Sequence, residues 1–132
     1  MVHVPHNRET HHLIGEKELG LMKPSAFLIN TARGPIVDQK ALTKALQERK
    51  IRGAALDVFE IEPIEPSDPL LKLDNVILTP HGIAWTDEMF RGMGEADVRG
   101  ILEIAKGRVP ASVVNMAVLE RAGFKKKLAR FL

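Results

Sequence analysis

The most informative part of the sequence for the fold is residues 26–35, which read Ala26-Phe27-Leu28-Ile29-Asn30-Thr31-Ala32-Arg33-Gly34-Pro35. Its first half is a short apolar run, which predicts a buried strand over residues 26–30, and Gly34-Pro35 marks a turn after it. Two later stretches have the same character: AALDVF at residues 54–59 and VILT at residues 76–79. Strands that are apolar throughout, separated by helices, are typical of a parallel sheet covered on both faces. The sequence therefore predicts an α/β fold.

Helices are predicted before, between and after these strands. Pro24 stops the first helix, Asp38 is a good N-cap for the second, and Thr86 caps the longest one, which Gly107 ends. The remaining residues, 111–132, are predicted to form a turn and a short terminal helix. The three main helices are expected over residues 10–23, 39–50 and 86–106.

The composition is that of an ordinary globular domain. The chain has 132 residues and a formal net charge of +2, and it contains no cysteine, which excludes disulfides and thiolate chemistry. It has no apolar run long enough to span a bilayer and no secretory signal, so we expect a cytoplasmic protein without a membrane partner. The short basic cluster at residues 125–127 is interpreted as the solvated face of a helix, so no nucleic-acid partner is expected.

Chemically useful side chains follow each predicted strand. Arg33 comes after the first strand, while Asp57, Glu60 and Glu62 lie in or after the second, and His81 follows the third. Parallel sheets bind ligands at the carboxyl ends of their strands, so these segments are expected to share one edge. An arginine binds a carboxylate through two parallel hydrogen bonds, and a histidine oriented by a carboxylate exchanges protons near neutral pH. Together they suit a small oxo acid.

Three segments resemble the D-isomer-specific 2-hydroxyacid dehydrogenases, in the family's order and at its separations, and a fourth, at residues 4–10, also looks like a segment of that family. The resemblance covers about residues 3–118. It implies a partial Rossmann-type parallel sheet with flanking helices, and an oxidoreductase that transfers hydride between NAD(P)H and a small 2-oxo or 2-hydroxy acid. The four segments are Val4-Pro5-His6-Asn7-Arg8-Glu9-Thr10, Asn30-Thr31-Ala32-Arg33-Gly34, Leu56-Asp57-Val58-Phe59-Glu60-Ile61-Glu62-Pro63 and Leu78-Thr79-Pro80-His81.

The resemblance also implies three catalytic residues. Arg33 would bind the substrate carboxylate and polarise the 2-oxo group, and His81 would be the general acid in reduction and the base in oxidation. Glu62 would hydrogen-bond His81 and stabilise its protonated form, with Glu60 as the nearest rival for that role. Each has a plain structural interpretation beside the functional one. Arg33 could be a turn residue in an ion pair, Glu62 a solvated carboxylate and His81 a capping histidine.

The resemblance further implies where a nicotinamide cofactor, NAD or NADP, would lie. Asp57 would contact the nicotinamide carboxamide, although it could merely cap the end of a strand. The other histidines, at positions 3, 6, 11 and 12, lack an accompanying carboxylate or cysteine pattern, so they are interpreted as surface or groove residues and no metal site is expected. The expected cofactor-binding residues are Val4, Pro5, His6, Asn7, Thr10, Thr31, Ala32, Arg33, Asp57, His81, Gly82, Ile83 and Ala84.

The sequence lacks the family's G-x-G-x-x-G turn, which holds the cofactor pyrophosphate at a helix N-terminus. Residues 1–107 are therefore expected to be the C-terminal half of an NAD(P)-binding domain, lacking its N-terminal half and holding an incomplete cofactor site. Residues 108–132 would be the return segment toward a missing substrate domain. The alternative is a truncated, non-catalytic binding or assembly module. Because a partial sheet exposes a strand edge and apolar faces, we also expect a homo-oligomer.

Overall fold

The computed structural model describes residues 1–131 and divides them into two compact units. The first unit is Met1–Ala84, and the second begins at Trp85. Leu132, the last residue of the predicted terminal helix, lies outside the described residues. Over residues 1–131, the structure contains no helix that combines the length and the apolar character needed to cross a membrane.

A three-stranded parallel sheet forms the centre of the first unit. Its strands are β1 (Phe27–Asn30), β2 (Gly53–Leu56) and β3 (Val76–Leu78), in the order β1-β2-β3. The predicted α/β fold and its three strands are confirmed, although β2 ends three residues earlier than expected. The chain leaves the sheet at Asp57, whose carboxylate accepts hydrogen bonds from the Thr79 hydroxyl and the Gly82 N–H in the segment that follows β3.

The register of the sheet aligns the carboxyl ends of its strands. Asn30 lies opposite Leu56, and Leu56 lies opposite Leu78. The outer side of β1 carries one further parallel bridge, in which the Val2 N–H donates to the carbonyl of Ile29 at 2.9 Å. The loops that leave β1, β2 and β3 therefore start side by side at one edge.

Two helices belong to the first unit, α1 (Glu16–Gly20) and α2 (Gln39–Gln47). The N-cap prediction for α2 is confirmed, since Asp38 Oδ1 accepts the Ala41 N–H at 2.9 Å. The prediction of a helix over 10–23 is wrong for most of its length. His12 has a left-handed φ of 50°, and Ile14 forms a parallel bridge with Val37, so tertiary pairing overrides local helical preference there.

The core of the first unit lies between the sheet and these helices. A fully buried leucine or isoleucine stabilises the fold by about 1.5–3 kcal/mol, so this cluster supplies most of the force that holds the strand ends in place. Short 3₁₀ helices at Gly34–Ile36 and Pro69–Lys72 close the loops around it. Its buried members are Leu19, Leu28, Val37, Leu42, Ala45, Leu46, Ile51, Ala54, Leu56, Phe59 and Leu70.

The second unit is helical. Its long helix α3 (Asp87–Ala105) begins at Thr86, whose hydroxyl accepts the Met89 N–H at 3.2 Å, as predicted. A 3₁₀ helix (Met116–Glu120), α4 (Ala122–Leu128) and a final 3₁₀ turn (Ala129–Phe131) follow. None of the residues 87–105 is buried, although the sequence carries an apolar stripe there.

Candidate functional site

A histidine–carboxylate pair lies at the aligned ends of β2 and β3. His81 Nδ1 is 2.7 Å from Glu62 Oε2, and Glu62 Oε1 accepts the Phe59 N–H at 2.9 Å. Both oxygens of Glu62 are therefore engaged and the carboxylate is held in one orientation. Because Glu62 binds Nδ1, Nε2 is the ring nitrogen that can exchange a proton with a ligand.

The surroundings of Glu62 favour its ionised form. Partial burial acts to raise the pKa of this carboxyl, but the hydrogen bonds from His81 and the Phe59 N–H outweigh it. The positive charges of His81 and Arg33 lower the pKa further, so that it lies below its ordinary value. A carboxylate that stays ionised is the partner that a protonated imidazole requires.

Arg33 sits on a turn that Asn30 shapes. The buried Asn30 side chain accepts the Ala32 N–H at 3.1 Å and donates to the Arg33 carbonyl at 3.0 Å. This arrangement turns the chain sharply at the end of β1 and places Arg33 close enough for its charge to act on Glu62. The three predicted catalytic residues therefore share one edge of the sheet.

Gly34 allows the loops after β1 and β2 to lie in direct backbone contact. A Cβ atom at Gly34 would be 1.9 Å from the carbonyl carbon and oxygen of Phe59, a distance that no side chain can occupy. Glycine is therefore required here by close approach, and not by an unusual φ. The contact draws the Arg33 turn against the segment that carries Glu62.

Asp57 fixes the loop that carries His81. Its Oδ1 accepts the Thr79 hydroxyl at 2.6 Å and the backbone N–H groups of Gly82 at 3.0 Å and Ile83 at 3.3 Å. Burial acts to raise the pKa of Asp57, but these hydrogen bonds and the charge of His81 bring it below its ordinary value. The loop in turn holds His81 at a left-handed φ of 52°. The predicted contact between Asp57 and a nicotinamide carboxamide stays a prediction.

A shallow cavity of about 450 Å³ lies beside the Arg33 turn. Its walls come from the N-terminal segment and from Ala32 and Arg33, which are both among the predicted cofactor-binding residues. Asn7 and Thr10 shape this segment from behind, since the Thr10 hydroxyl donates to the Pro5 carbonyl at 2.7 Å. The other predicted cofactor-binding residues lie outside the cavity lining, namely Asn7, Thr10, Thr31, Asp57, His81, Gly82, Ile83 and Ala84. The cavity is lined by His3, Val4, Pro5, His6, Ala32 and Arg33.

Glu60, the rival carboxylate, has different partners from Glu62. Glu60 Oε1 is 2.9 Å from His12 Nε2 and accepts the Gln39 N–H at 2.8 Å. Sequence reasoning missed the parts played by Gln39 and by Thr79. The only signal for Thr79 was a hydroxyl at a strand end beside a predicted site, and Gln39 gave none.

The N-terminal histidines form a local cluster. His6 Nε2 lies 3.2 Å from His11 Nδ1, and the rings of His11 and His12 stack with centroids 4.1 Å apart. Among residues 1–131, no three histidine, aspartate or glutamate side chains are arranged to hold a metal ion.

The fold and the site define a Rossmann-type α/β protein with an arginine and a histidine–carboxylate pair at the carboxyl ends of its strands. Residues 1–82 match the D-isomer specific 2-hydroxyacid dehydrogenase, NAD binding domain. The chain belongs to this family of NAD-binding oxidoreductase domains.

Individual relatives agree with this assignment. The chain is 52% identical to a glyoxylate reductase of Thermofilum pendens over 119 residues, which are 90% of this chain and 35% of that protein. The TT0316 protein from Thermus thermophilus has a TM-score of 0.81 at 40% identity, covering 85% of this chain and 36% of the other. An NAD complex of a D-isomer specific 2-hydroxyacid dehydrogenase from Lactobacillus delbrueckii ssp. bulgaricus has a TM-score of 0.76 at 40% identity. This match covers 86% of this chain and 38% of the other. The chain thus spans about a third of the length of these relatives.

Proposed function

We propose that this chain supplies the proton-transfer and carboxylate-binding residues of an NAD(P)-dependent D-2-hydroxyacid dehydrogenase. The observation that carries the proposal is the 2.7 Å contact between His81 Nδ1 and Glu62 Oε2, beside Arg33 at one sheet edge. The family assignment favours this reading over a non-catalytic module.

The roles follow from the chemistry of each group. The Arg33 guanidinium binds the carboxylate of a small 2-oxo acid and draws electron density from its oxo group. His81 donates a proton from Nε2 to the oxo oxygen during reduction and takes it back during oxidation. Glu62 stabilises the protonated imidazole and fixes its orientation. When bound, the nicotinamide supplies the hydride that reduces the oxo carbon.

The residues present fit the nicotinamide end of a cofactor. The cavity of about 450 Å³ beside Arg33 lies within the usual size range of small-molecule sites, and Val4, Pro5 and Ala32 give it an apolar wall. We propose that NAD or NADP binds here, with Asp57 and the loop of residues 81–84 on its other side. The glycine turn that would hold the pyrophosphate is absent from the sequence, so the affinity of this chain for the cofactor is expected to be low.

The proposed substrate is a small 2-oxo acid of the glyoxylate type, because several relatives that are 50–52% identical to this chain are named glyoxylate reductases. We propose that residues 1–107 act as the C-terminal half of the cofactor domain and residues 108–132 as the return segment. A cytoplasmic location remains a prediction from the sequence.

Self-association is a further part of the proposal. Phe27 and Ile77, on the two outer strands of the sheet, are both more than half exposed, and exposed apolar sheet residues promote association. Sedimentation velocity at micromolar concentration should show a dimer or larger species, and a stable monomer contradicts this.

Ligand titration and turnover together test the proposal. NADH at millimolar concentration should change its fluorescence on binding, and glyoxylate should then oxidise it. Removing the proton donor in His81→Gln should lower that rate by about 10²–10⁴-fold. Arg33→Lys should weaken substrate binding, because a lysine cannot make the bidentate contact. Arg52→Lys is the matched control, because Arg52 lies at the opposite end of the sheet, next to β2 Gly53.

The results separate the two readings. A loss in both site variants with a normal Arg52→Lys control supports the proposal. Absence of any NADH fluorescence change, or equal turnover in wild type and His81→Gln, contradicts it and favours the non-catalytic module.

A further inference from the structure

Glu60 lies at the centre of a hydrogen-bonded cluster that joins three separate segments. Its carboxylate accepts the backbone N–H of Gln39, the first residue of α2, and lies 2.9 Å from the ring nitrogen of His12. His12 is itself fixed, because its backbone N–H donates to the Pro35 carbonyl at 2.8 Å. Glu60 therefore ties the loop after β2 both to α2 and to the N-terminal segment.

Gln39 returns the contact with its side chain. Gln39 Oε1 accepts the Glu60 N–H at 3.0 Å, so the two residues exchange a reciprocal pair of hydrogen bonds. The other end of the same amide donates to Asp68 Oδ2 at 2.8 Å. One side chain thus holds the first and the last residues of the loop 60–68.

The peptide held by this cluster is adjacent to the group that holds Glu62. The Phe59 N–H donates to Glu62 Oε1, and the next N–H along the chain, that of Glu60, donates to Gln39. The Phe59 N–H belongs to the preceding peptide, so it moves relative to Glu62 when loss of the Glu60 contacts displaces the segment of residues 59–62. The buried Phe59 side chain and the backbone contact with Gly34 also anchor this segment, and the hydrogen bonds between Glu60 and Gln39 add to them.

We propose that Glu60 is a positioning residue, which, with Gln39 and His12, fixes the segment of residues 59–62 and so holds the Glu62 carboxylate against His81. The inference rests on the proposed function for its chemical meaning, since Glu62 matters there as the partner of the proton donor. Under the plain structural alternative, Glu60 only satisfies the N-terminus of α2. In that case its loss lowers stability and leaves Glu62 unchanged.

The titration of the Glu62 carboxyl, followed by ¹³C NMR in the complete 132-residue chain, distinguishes these possibilities. Glu60→Ala and Gln39→Leu should each raise the pKa of Glu62 above its wild-type value, because the Phe59 hydrogen bond is weakened. Glu60→Gln should restore most of the wild-type value, since an amide oxygen still accepts the Gln39 N–H. Glu65→Ala, which removes the same charge from an exposed site in the same loop, is the matched control and should leave the titration unchanged.

Folding of each variant is checked by amide dispersion, and Gln39→Leu decides the matter if Glu60→Ala does not fold, because it keeps the backbone N–H that begins α2. Folded variants that titrate like wild type overturn the inference. His81→Gln separates it from the proposed function, since this change should raise the pKa of Glu62 by removing its principal hydrogen bond. If the pKa of Glu62 rises in His81→Gln but not in the variants at positions 60 and 39, only this inference is contradicted. No response to His81→Gln removes the His81–Glu62 pair and the proposed function with it.

Discussion

Replacement of Asp57 by asparagine should weaken the hydrogen bonds that hold the loop carrying His81. The Asp57 side chain is 4% exposed and accepts the Thr79 hydroxyl at 2.6 Å and the Gly82 N–H at 3.0 Å, with a longer bond from Ile83. Hydrogen bonds to a charged acceptor contribute about 1.5–3 kcal/mol and neutral ones about 0.5–1.5 kcal/mol. Losing the charge at two short bonds therefore costs about 2 kcal/mol, which is roughly a 30-fold change in the folding equilibrium.

The pH dependence of this loss follows from the lowered pKa of Asp57. A carboxyl whose pKa is lower in the folded chain stabilises the fold above its unfolded pKa, which is about 3.9 for aspartate, and this contribution disappears as the pH falls through the folded pKa. Asparagine does not titrate. The difference in unfolding free energy between wild type and Asp57→Asn should therefore be largest at pH 7 and decrease progressively below about pH 4.

Urea unfolding followed by NMR amide signals from residues 1–84 is the appropriate assay. The single tryptophan, Trp85, belongs to the second unit, so its fluorescence would report on the wrong part of the chain. Asp74→Asn is the control, because Asp74 is 79% exposed in its pair with Arg49 and such surface pairs contribute about 0–1 kcal/mol. Equal urea midpoints for wild type and Asp57→Asn at pH 7 would contradict a stabilising role for the Asp57 charge. A difference in midpoint that is as large at pH 3 as at pH 7 would contradict it as well.

Two further changes test the frame of the site. Gly34→Ala should disrupt the first unit, since the added Cβ would overlap the Phe59 carbonyl, and its NMR amide signals should lose dispersion. Gly20→Ala is the control and should remain folded, because its Cβ meets nothing within 4 Å. A well-dispersed Gly34→Ala spectrum like that of wild type would contradict the close approach. Asp38→Ala should lower the unfolding free energy by about 1 kcal/mol in urea by removing the α2 cap, and an unchanged midpoint would speak against that cap.

The parallel sheet and its functional edge were accessible from the sequence because they depend on local patterns. Short apolar runs mark the strands, Asp38 marks the start of α2, and the edge to inspect follows from the strand direction alone. The supposed helix over residues 10–23 shows where such reasoning ends. Its residues have acceptable helical spacing, but the pairing of Ile14 with Val37 is a contact between distant segments that no local window contains.

The arrangement inside the site was harder to foresee. The choice between Glu60 and Glu62 came from the family resemblance, and the structure places them on different partners, His12 and His81. The reciprocal pair between Gln39 and Glu60 joins residues 21 positions apart and has no sequence signature. The predicted contact of Asp57 with a cofactor stays a prediction. Its hydrogen bonds to Thr79 and Gly82 were not foreseen, although a buried carboxylate must satisfy its oxygens.

The bare backbone contact between Gly34 and Phe59 limits how this part of the molecule can be redesigned. The loop that carries Arg33 and the loop that carries Glu62 are in direct backbone contact. No side chain lies between them that a smaller or larger residue could replace to accommodate a change. An insertion close to this contact in either loop would therefore have to be matched by a compensating change in the other. Additional length is better placed at residues 63–67, beyond Glu62 in the same loop, where the chain is mostly exposed and an insertion can extend into solvent.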